Sequence, residues 1–130
     1  MNNWLNKYVI LIVTGIITFI SPIADTLIFV GIISVFDFVT GIMKAHKSGT
    51  ISSRRMINKL YAVIGYFVGI LISHLLEGYF GDAIPMVKAV VAIIALTEIQ
   101  SVRENIKEIS GTDILSPLTK ILQRKVDENN

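Results

Sequence analysis

The sequence predicts an all-α membrane protein: a bundle of about four short transmembrane helices, followed by a C-terminal amphipathic helix. Three observations favour this fold class. Apolar residues make up 52% of the 130 residues and charged residues only 17%, whereas soluble domains carry about 25% charged residues. The mean hydropathy is +0.64. The apolar residues also occur in long runs separated by clusters of lysine and arginine, so too few polar residues remain to cover a soluble domain of this size.

Charged residues divide the sequence into four apolar segments, which are 8–24, 26–43, 60–76 and 85–102. A helix that spans a bilayer needs about 20 residues, within a range of about 17 to 25, and the first three segments meet this length. The fourth has an uninterrupted apolar core only at 89–97. Lys88 at one end of that core can extend its amine to the headgroups, and Glu98 lies at the other end.

The first apolar segment follows Lys7, as the apolar part of a secretory signal follows a basic residue. It ends in Ser-Pro-Ile-Ala-Asp at 21–25, where no small-x-small cleavage site is convincing. The segment is therefore predicted to be a retained span, with an outer turn at 21–25. A cleaved signal is the alternative.

The basic residues predict the orientation of the spans. Ten of the twelve lysines and arginines fall in two groups, one between the second and third segments and one after the fourth, and the positive-inside rule makes both regions cytoplasmic. The third and fourth segments must then both cross, so the N- and C-termini are both cytoplasmic. The basic residues predicted to face lipid headgroups are Lys44, Lys47, Arg54, Arg55, Lys120, Arg124 and Lys125.

Residues 1–110 are thus predicted to form a multi-pass transmembrane helical domain, and residues 111–130 a cytoplasmic amphipathic tail. Ser52 or Ser53 is expected to begin the third helix after a loop that contains Gly49. The tail has apolar residues at helical spacing opposite a basic face. It is expected to lie on the inner leaflet or to pack against a neighbouring subunit or a soluble partner. A solvated tail docked on its own bundle is the alternative.

Asp37 lies inside the second segment, where an ionised carboxylate costs several kcal/mol unless it is paired or hydrated. In the predicted orientation Asp37 and Glu98 lie at a similar depth, and Lys59 enters the membrane from the same side. We therefore predict an intramembrane polar cluster of Asp37, Lys59 and Glu98, in which Lys59 is the shared counter-ion. Hydration of each carboxylate near the interface is the alternative.

The third segment contains a stripe of small residues that predicts close packing of helices, because small side chains let backbones approach in lipid. Packing within one subunit and packing between subunits explain such a stripe equally well. Its members are Ala62, Gly65, Gly69 and Ser73.

Catalytic, cofactor and metal sites are not predicted. The sequence has no cysteine and two histidines, and no serine–histidine arrangement or phosphate-binding glycine loop is present. His74 has only Glu77 at ligand spacing, which does not make a zinc site. Arg54 and Arg55 are more simply read as residues that set topology than as a nucleic-acid site, so an enzyme and a nucleic-acid partner are both excluded from the prediction.

Two separated motifs resemble the toxin-secretion and phage-lysis holin family. That family pairs a D-x-x-x-G segment with a later E-x-x-S-x-x-E-N segment, and the resemblance spans roughly residues 37 to 122. Arg103 departs from it, because an apolar residue is expected there. The residues that carry the resemblance are Asp37, Gly41, Ser53, Glu98, Ser101, Glu104 and Asn105.

The resemblance implies a phage protein that accumulates in the bacterial cytoplasmic membrane as a homo-oligomer and opens lesions that release endolysin or toxin. A membrane scaffold or adaptor that forms no pore is the alternative, and an antiholin, which would also be a partner of a holin, belongs to that class. A small transporter ranks last, because the sequence shows neither broken helices nor an internal repeat.

Overall fold

The structure is a computed structural model that describes residues 3–81, 84–113, 116, 117, 121 and 124. Over these residues the chain forms helices and no strands, which confirms the all-α class. The α-helices are α1 (Asn3–Ile20), α2 (Ala24–Lys47), α3 (Ser53–Phe80) and α4 (Met86–Ser110), and a short 3-10 segment at Ser21–Ile23 joins α1 to α2.

The junction of α1 and α2 differs from the prediction. The expected outer turn at 21–25 is replaced by the 3-10 segment, so Asn3–Lys47 is one helical stretch of 45 residues. Pro22 stands at the start of that segment, where a helix tolerates proline because the first turn needs no N–H donor. The described chain therefore contains three helical stretches and does not support four separate ones.

The loop between α2 and α3 ends where the sequence predicts. Gly49 adopts a φ of 66° after the end of α2, a conformation that favours glycine. Ser52 is extended and α3 begins at Ser53, although the Ser52 side chain accepts no capping hydrogen bond. The first turn of α3 then carries Arg54 and Arg55 on an exposed surface.

Helices α2, α3 and α4 pack as a bundle in which α2 makes its most extensive contact with α4. Gly41 of α2 lies beside Asn105 of α4, and Lys47 lies beside Ile109, so these two helices run in the same direction. Helix α3 runs opposite to both. We call the end of the bundle that holds the 48–52 loop its loop end, and the end that joins α3 to α4 its turn end.

A small apolar core holds the bundle towards its turn end. Val30 of α2, Ile70 of α3 and Ile94 of α4 are buried between the helices. Helix α1 contributes no buried residue and shares no extensive contact with α3 or α4. Its last turn does reach α3, where a ring nitrogen of His74 lies 3.1 Å from the carbonyl oxygen of Phe19.

Two helical stretches of the described chain, Asn3–Lys47 and Ser53–Phe80, are long and apolar enough to cross a membrane. Most of their large apolar side chains are exposed, as expected for helices that face lipid rather than water. Helix α4 is not in this group, because Lys88, Glu98 and Arg103 interrupt its apolar sequence.

Side chains from neighbouring helices form hydrogen bonds with backbone groups at both ends of α4. At the turn end, the backbone N–H of Val87 donates to Glu77 Oε1 at 2.8 Å. At the loop end, Lys47 Nζ donates to the carbonyl oxygen of Ile109 at 2.5 Å. These are the groups that a helix leaves without internal partners, so α2 and α3 fix the position of α4 at its two ends.

The predicted amphipathic tail lies largely outside the described residues. Positions 116, 117, 121 and 124 are helical. Of the apolar residues on which the tail prediction rests, Ile121 is described and is exposed. The amphipathic face therefore stays a prediction.

Candidate functional site

Three charged side chains, one from each bundle helix, meet in the loop-end half of the bundle. Lys59 Nζ of α3 lies 2.5 Å from Asp37 Oδ2 of α2, and 2.8 and 2.9 Å from the two carboxylate oxygens of Glu98 in α4. The Asp37 and Glu98 residues are 5% and 0% exposed. The structure thus brings together the residues predicted for a polar cluster, and Lys59 bridges both carboxylates.

Asn105 completes this cluster, although the sequence predicted it only as part of the family motif. Its amide Nδ2 donates to Asp37 Oδ1 at 3.1 Å and lies 3.3 Å from Thr40 Oγ1. Gly41 lies directly beside it, since a Cβ at Gly41 would be in van der Waals contact with Nδ2 at 3.6 Å. Asn105 follows Glu98 by two helical turns and so shares its face of α4, a spacing that was available from the sequence.

The cluster contains two carboxylates and one ammonium group. A buried charge without a partner is far more costly than a buried pair. Since the two carboxylates share one ammonium group, each of them needs a further hydrogen-bond donor. Asp37 also receives a hydrogen bond from the Asn105 amide. This neutral donor partly offsets the excess negative charge and links α2 to α4.

The remaining motif residues surround the cluster at different depths. Ser101 is half-buried and lines the cleft described below. Glu104 is exposed and accepts a hydrogen bond from Gln100 at 2.7 Å. Ser53 is exposed at the start of α3. The two motifs of the sequence therefore face each other across the α2–α4 contact through Asp37, Gly41 and Asn105.

A cleft of about 260 Å³ opens beside the cluster at the loop end. Its walls come from α2, the 48–52 loop, the start of α3 and the last third of α4, and they combine apolar side chains with hydroxyl and charged groups. The lining residues are Asp37, Phe38, Gly41, Ile42, Lys44, Ala45, Thr50, Ile51, Ser52, Arg55, Met56, Lys59, Ser101 and Asn105.

The predicted stripe of small residues divides between two environments. Ser73 is buried and donates to the Gly69 carbonyl oxygen at 2.8 Å, and a Cβ at Gly69 would meet Val90 of α4 at 4.0 Å. Ala62 and Gly65 are exposed instead, with no atom near the position of a Gly65 Cβ. One half of the stripe therefore packs within the subunit, and the other half is open.

The basic residues predicted to face lipid also divide into two kinds. Lys44 pairs with Glu108 of α4 at 2.7 Å, and Lys47 contacts the end of α4, so both amines are engaged by protein. Arg54, Arg55 and Arg124 are exposed. Lys120 and Lys125 lie outside the described residues.

No group of three or more potential metal ligands occurs among the residues that the structure describes. His74 faces the Phe19 carbonyl and the Phe19 ring, with ring centroids 4.9 Å apart.

Arg103, which departs from the family pattern, forms an ion pair with Asp113. That pair ties the residues after α4 back to the helix.

The comparisons with known proteins agree with the resemblance seen in the two motifs. The model of the bacteriophage holin family matches residues 14–127, which include α2, α3 and α4 and the last seven residues of α1. That family consists of membrane proteins that form pores and time lysis, not of enzymes. Neither the comparison with curated proteins nor the comparison with solved structures gives a match.

Replacement of Lys59 by methionine should destabilise the bundle strongly. The variant leaves Asp37 and Glu98 buried without their counter-ion, a change that costs about 3–5 kcal/mol in proteins. Thermal unfolding followed by circular dichroism in a mild detergent measures the loss, with Lys88→Met as the control because Lys88 is exposed at the turn end.

The triple variant Asp37→Asn, Lys59→Met, Glu98→Gln should recover most of the stability, because it removes all three charges and keeps side chains of similar size. A Lys59→Met variant as stable as wild type would contradict the ion cluster. So would a triple variant no more stable than the single one.

Proposed function

The chain belongs to the bacteriophage holin family, and on this basis we propose that it accumulates in the cytoplasmic membrane of a bacterial host and oligomerises. The oligomer then opens lesions through which endolysin or toxin leaves the cell. The observation that carries this proposal is the family match over nearly the whole chain, joined to helices whose apolar surfaces are exposed. An enzyme has no comparable support.

In the proposed topology the chain crosses four times and both termini are cytoplasmic. At about 1.5 Å per residue, the 45-residue stretch Asn3–Lys47 corresponds to about 68 Å of helix, roughly twice the hydrocarbon thickness. It is too long for one crossing. Its 18-residue and 24-residue halves are each long enough for one, so we propose that the chain reverses at the 3-10 segment once it is in a bilayer.

The directions in which the polar groups of α4 point support the proposed crossing of this helix. Glu98 and Asn105 are buried against α2 and α3, whereas Ile93 and Leu96 are exposed. The face that meets lipid is thus apolar, even though the helix contains charges. Lys88 lies near the turn end, where its amine can reach the headgroups.

The loop end is proposed to face the cytoplasm. Lys44, Lys47, Arg54 and Arg55 are all concentrated there, and the positive-inside rule assigns such clusters to the cytoplasmic side. The turn end carries Glu77 and the single basic residue Lys88. The distribution of basic residues and the directions of the helices therefore support the same orientation in the membrane.

Self-association is supported by the open half of the small-residue stripe. Ala62 and Gly65 present a surface without large side chains, on which a second helix can approach closely. A lesion that passes proteins also needs polar walls. The cluster of Asp37, Lys59 and Glu98 places three charged side chains inside the bundle. We propose that the helices separate on assembly and expose these side chains to water.

Inducible expression in a bacterium that carries a cytosolic reporter enzyme and a membrane-potential dye tests the proposal. We expect abrupt depolarisation after a delay, followed by release of the reporter once the cell wall is opened. The matched control is the triple variant Asp37→Asn, Lys59→Met, Glu98→Gln at equal membrane abundance, which should release less reporter because it lacks the charged groups. Normal potential at verified membrane accumulation of the wild-type chain would contradict the proposal and favour a scaffold or antiholin.

Gly65→Leu should reduce self-association without unfolding the subunit. The added side chain meets no atom of its own bundle but blocks close approach by a second helix. Gly78→Leu is the matched control, because Gly78 is on the same helix, is equally open and lies on nearly the opposite face. Chemical cross-linking in membranes should show most of the oligomer lost in the first variant and retained in the second. Equal oligomer in both would contradict an interface at Gly65.

A further inference from the structure

The loop-end cleft contains hydrogen-bond donors that have no acceptor. Lys59 is held by Asp37 and Glu98, and Lys44 by Glu108. Arg55 also lines the cleft, but within the described ranges no carboxylate pairs with it. The cleft therefore has one cation whose charge the surrounding protein leaves uncompensated.

Two hydroxyl groups of the cleft also lack a hydrogen-bond partner among the described residues. Ser52 and Ser101 are half-buried and line the same space, and no side-chain hydrogen bond joins either of them to another described residue. Thr50 differs, because its hydroxyl is bonded to Ser48 at 2.7 Å. An arginine with two free hydroxyls is a donor set suited to an acceptor-rich anion such as a phosphate ester.

The apolar part of the cleft distinguishes a lipid from a free anion. Phe38, Ile42 and Met56 line it beside the donors. Inorganic phosphate has no apolar part that could be buried against these side chains, whereas a lipid has one. At about 260 Å³, the cleft is slightly smaller than sites for drug-sized ligands, which measure about 300–1,000 Å³. This size fits a headgroup with the start of its acyl chains.

We infer that the loop-end cleft is a site for one anionic phospholipid, whose phosphate is bound by Arg55, Ser52 and Ser101. The inference rests on the proposed topology, which sets the loop end at the inner leaflet where anionic headgroups lie. A bound lipid contacts α2, the 48–52 loop, α3 and α4 together. It thereby stabilises the closed bundle around the ion cluster.

Native mass spectrometry of the full-length protein in a neutral detergent tests this site. The probes are phosphatidylglycerol, phosphatidylcholine with the same acyl chains, and soluble glycerol phosphate. The wild-type protein should prefer phosphatidylglycerol to phosphatidylcholine, and glycerol phosphate should not displace it. Arg55→Gln should weaken phosphatidylglycerol binding about fivefold, the effect of one cation near a lipid surface.

The control is the neighbouring Arg54→Gln, since Arg54 is exposed but does not line the cleft. It should bind lipid as wild type does, and Arg55→Lys should retain most of the binding because it keeps the charge. Equal losses in Arg54→Gln and Arg55→Gln would overturn the site in favour of diffuse surface attraction. Displacement by glycerol phosphate would overturn the lipid assignment. Binding in detergent needs no lesion, so failure here leaves the proposed function untouched, and failure of lysis leaves this result standing.

Discussion

A charge inside a bilayer must be paired, and this constraint organises the bundle. Asp37, Lys59 and Glu98 come from three different helices and meet within 2.5–2.9 Å. None of these helices can shift far without leaving a buried charge alone. Three other features help to bring these side chains together: the close approach at Gly41, the amide of Asn105 and the parallel packing of α2 and α4. The two ends of α4 are then held by Glu77 and Lys47.

The same cluster lowers the hydropathy of α4. Its charged and amide side chains reduce its mean apolarity, yet Glu98 and Asn105 are buried in the bundle and add nothing to its exposed surface. Helix α1 is the opposite case, because it is apolar on all sides and contributes no buried residue.

Much of this architecture was available from the sequence. The four apolar segments predicted helices in the correct regions, and Ser53 begins α3 as expected. Charge and depth predicted that Asp37, Lys59 and Glu98 would meet. The structure has a 3-10 segment where the sequence predicted an outer turn, because proline fits the first turn of a helix as well as it fits a turn between helices. The contacts of Lys44 and Lys47 with α4 were also missed, since a basic residue beside a span is ordinarily read as a lipid contact.

The distance from Lys59 to its two carboxylates in a bilayer tests this account most directly. Solid-state NMR of the protein in liposomes, with ¹⁵N-labelled lysine and ¹³C-labelled aspartate and glutamate, detects such contacts through dipolar coupling. We predict cross-peaks from one lysine Nζ to an aspartate and to a glutamate carboxyl carbon, both absent from the Lys59→Met spectrum. A Lys59 amine that couples to neither carboxylate in lipid would contradict the claim that the ion cluster holds the bundle together.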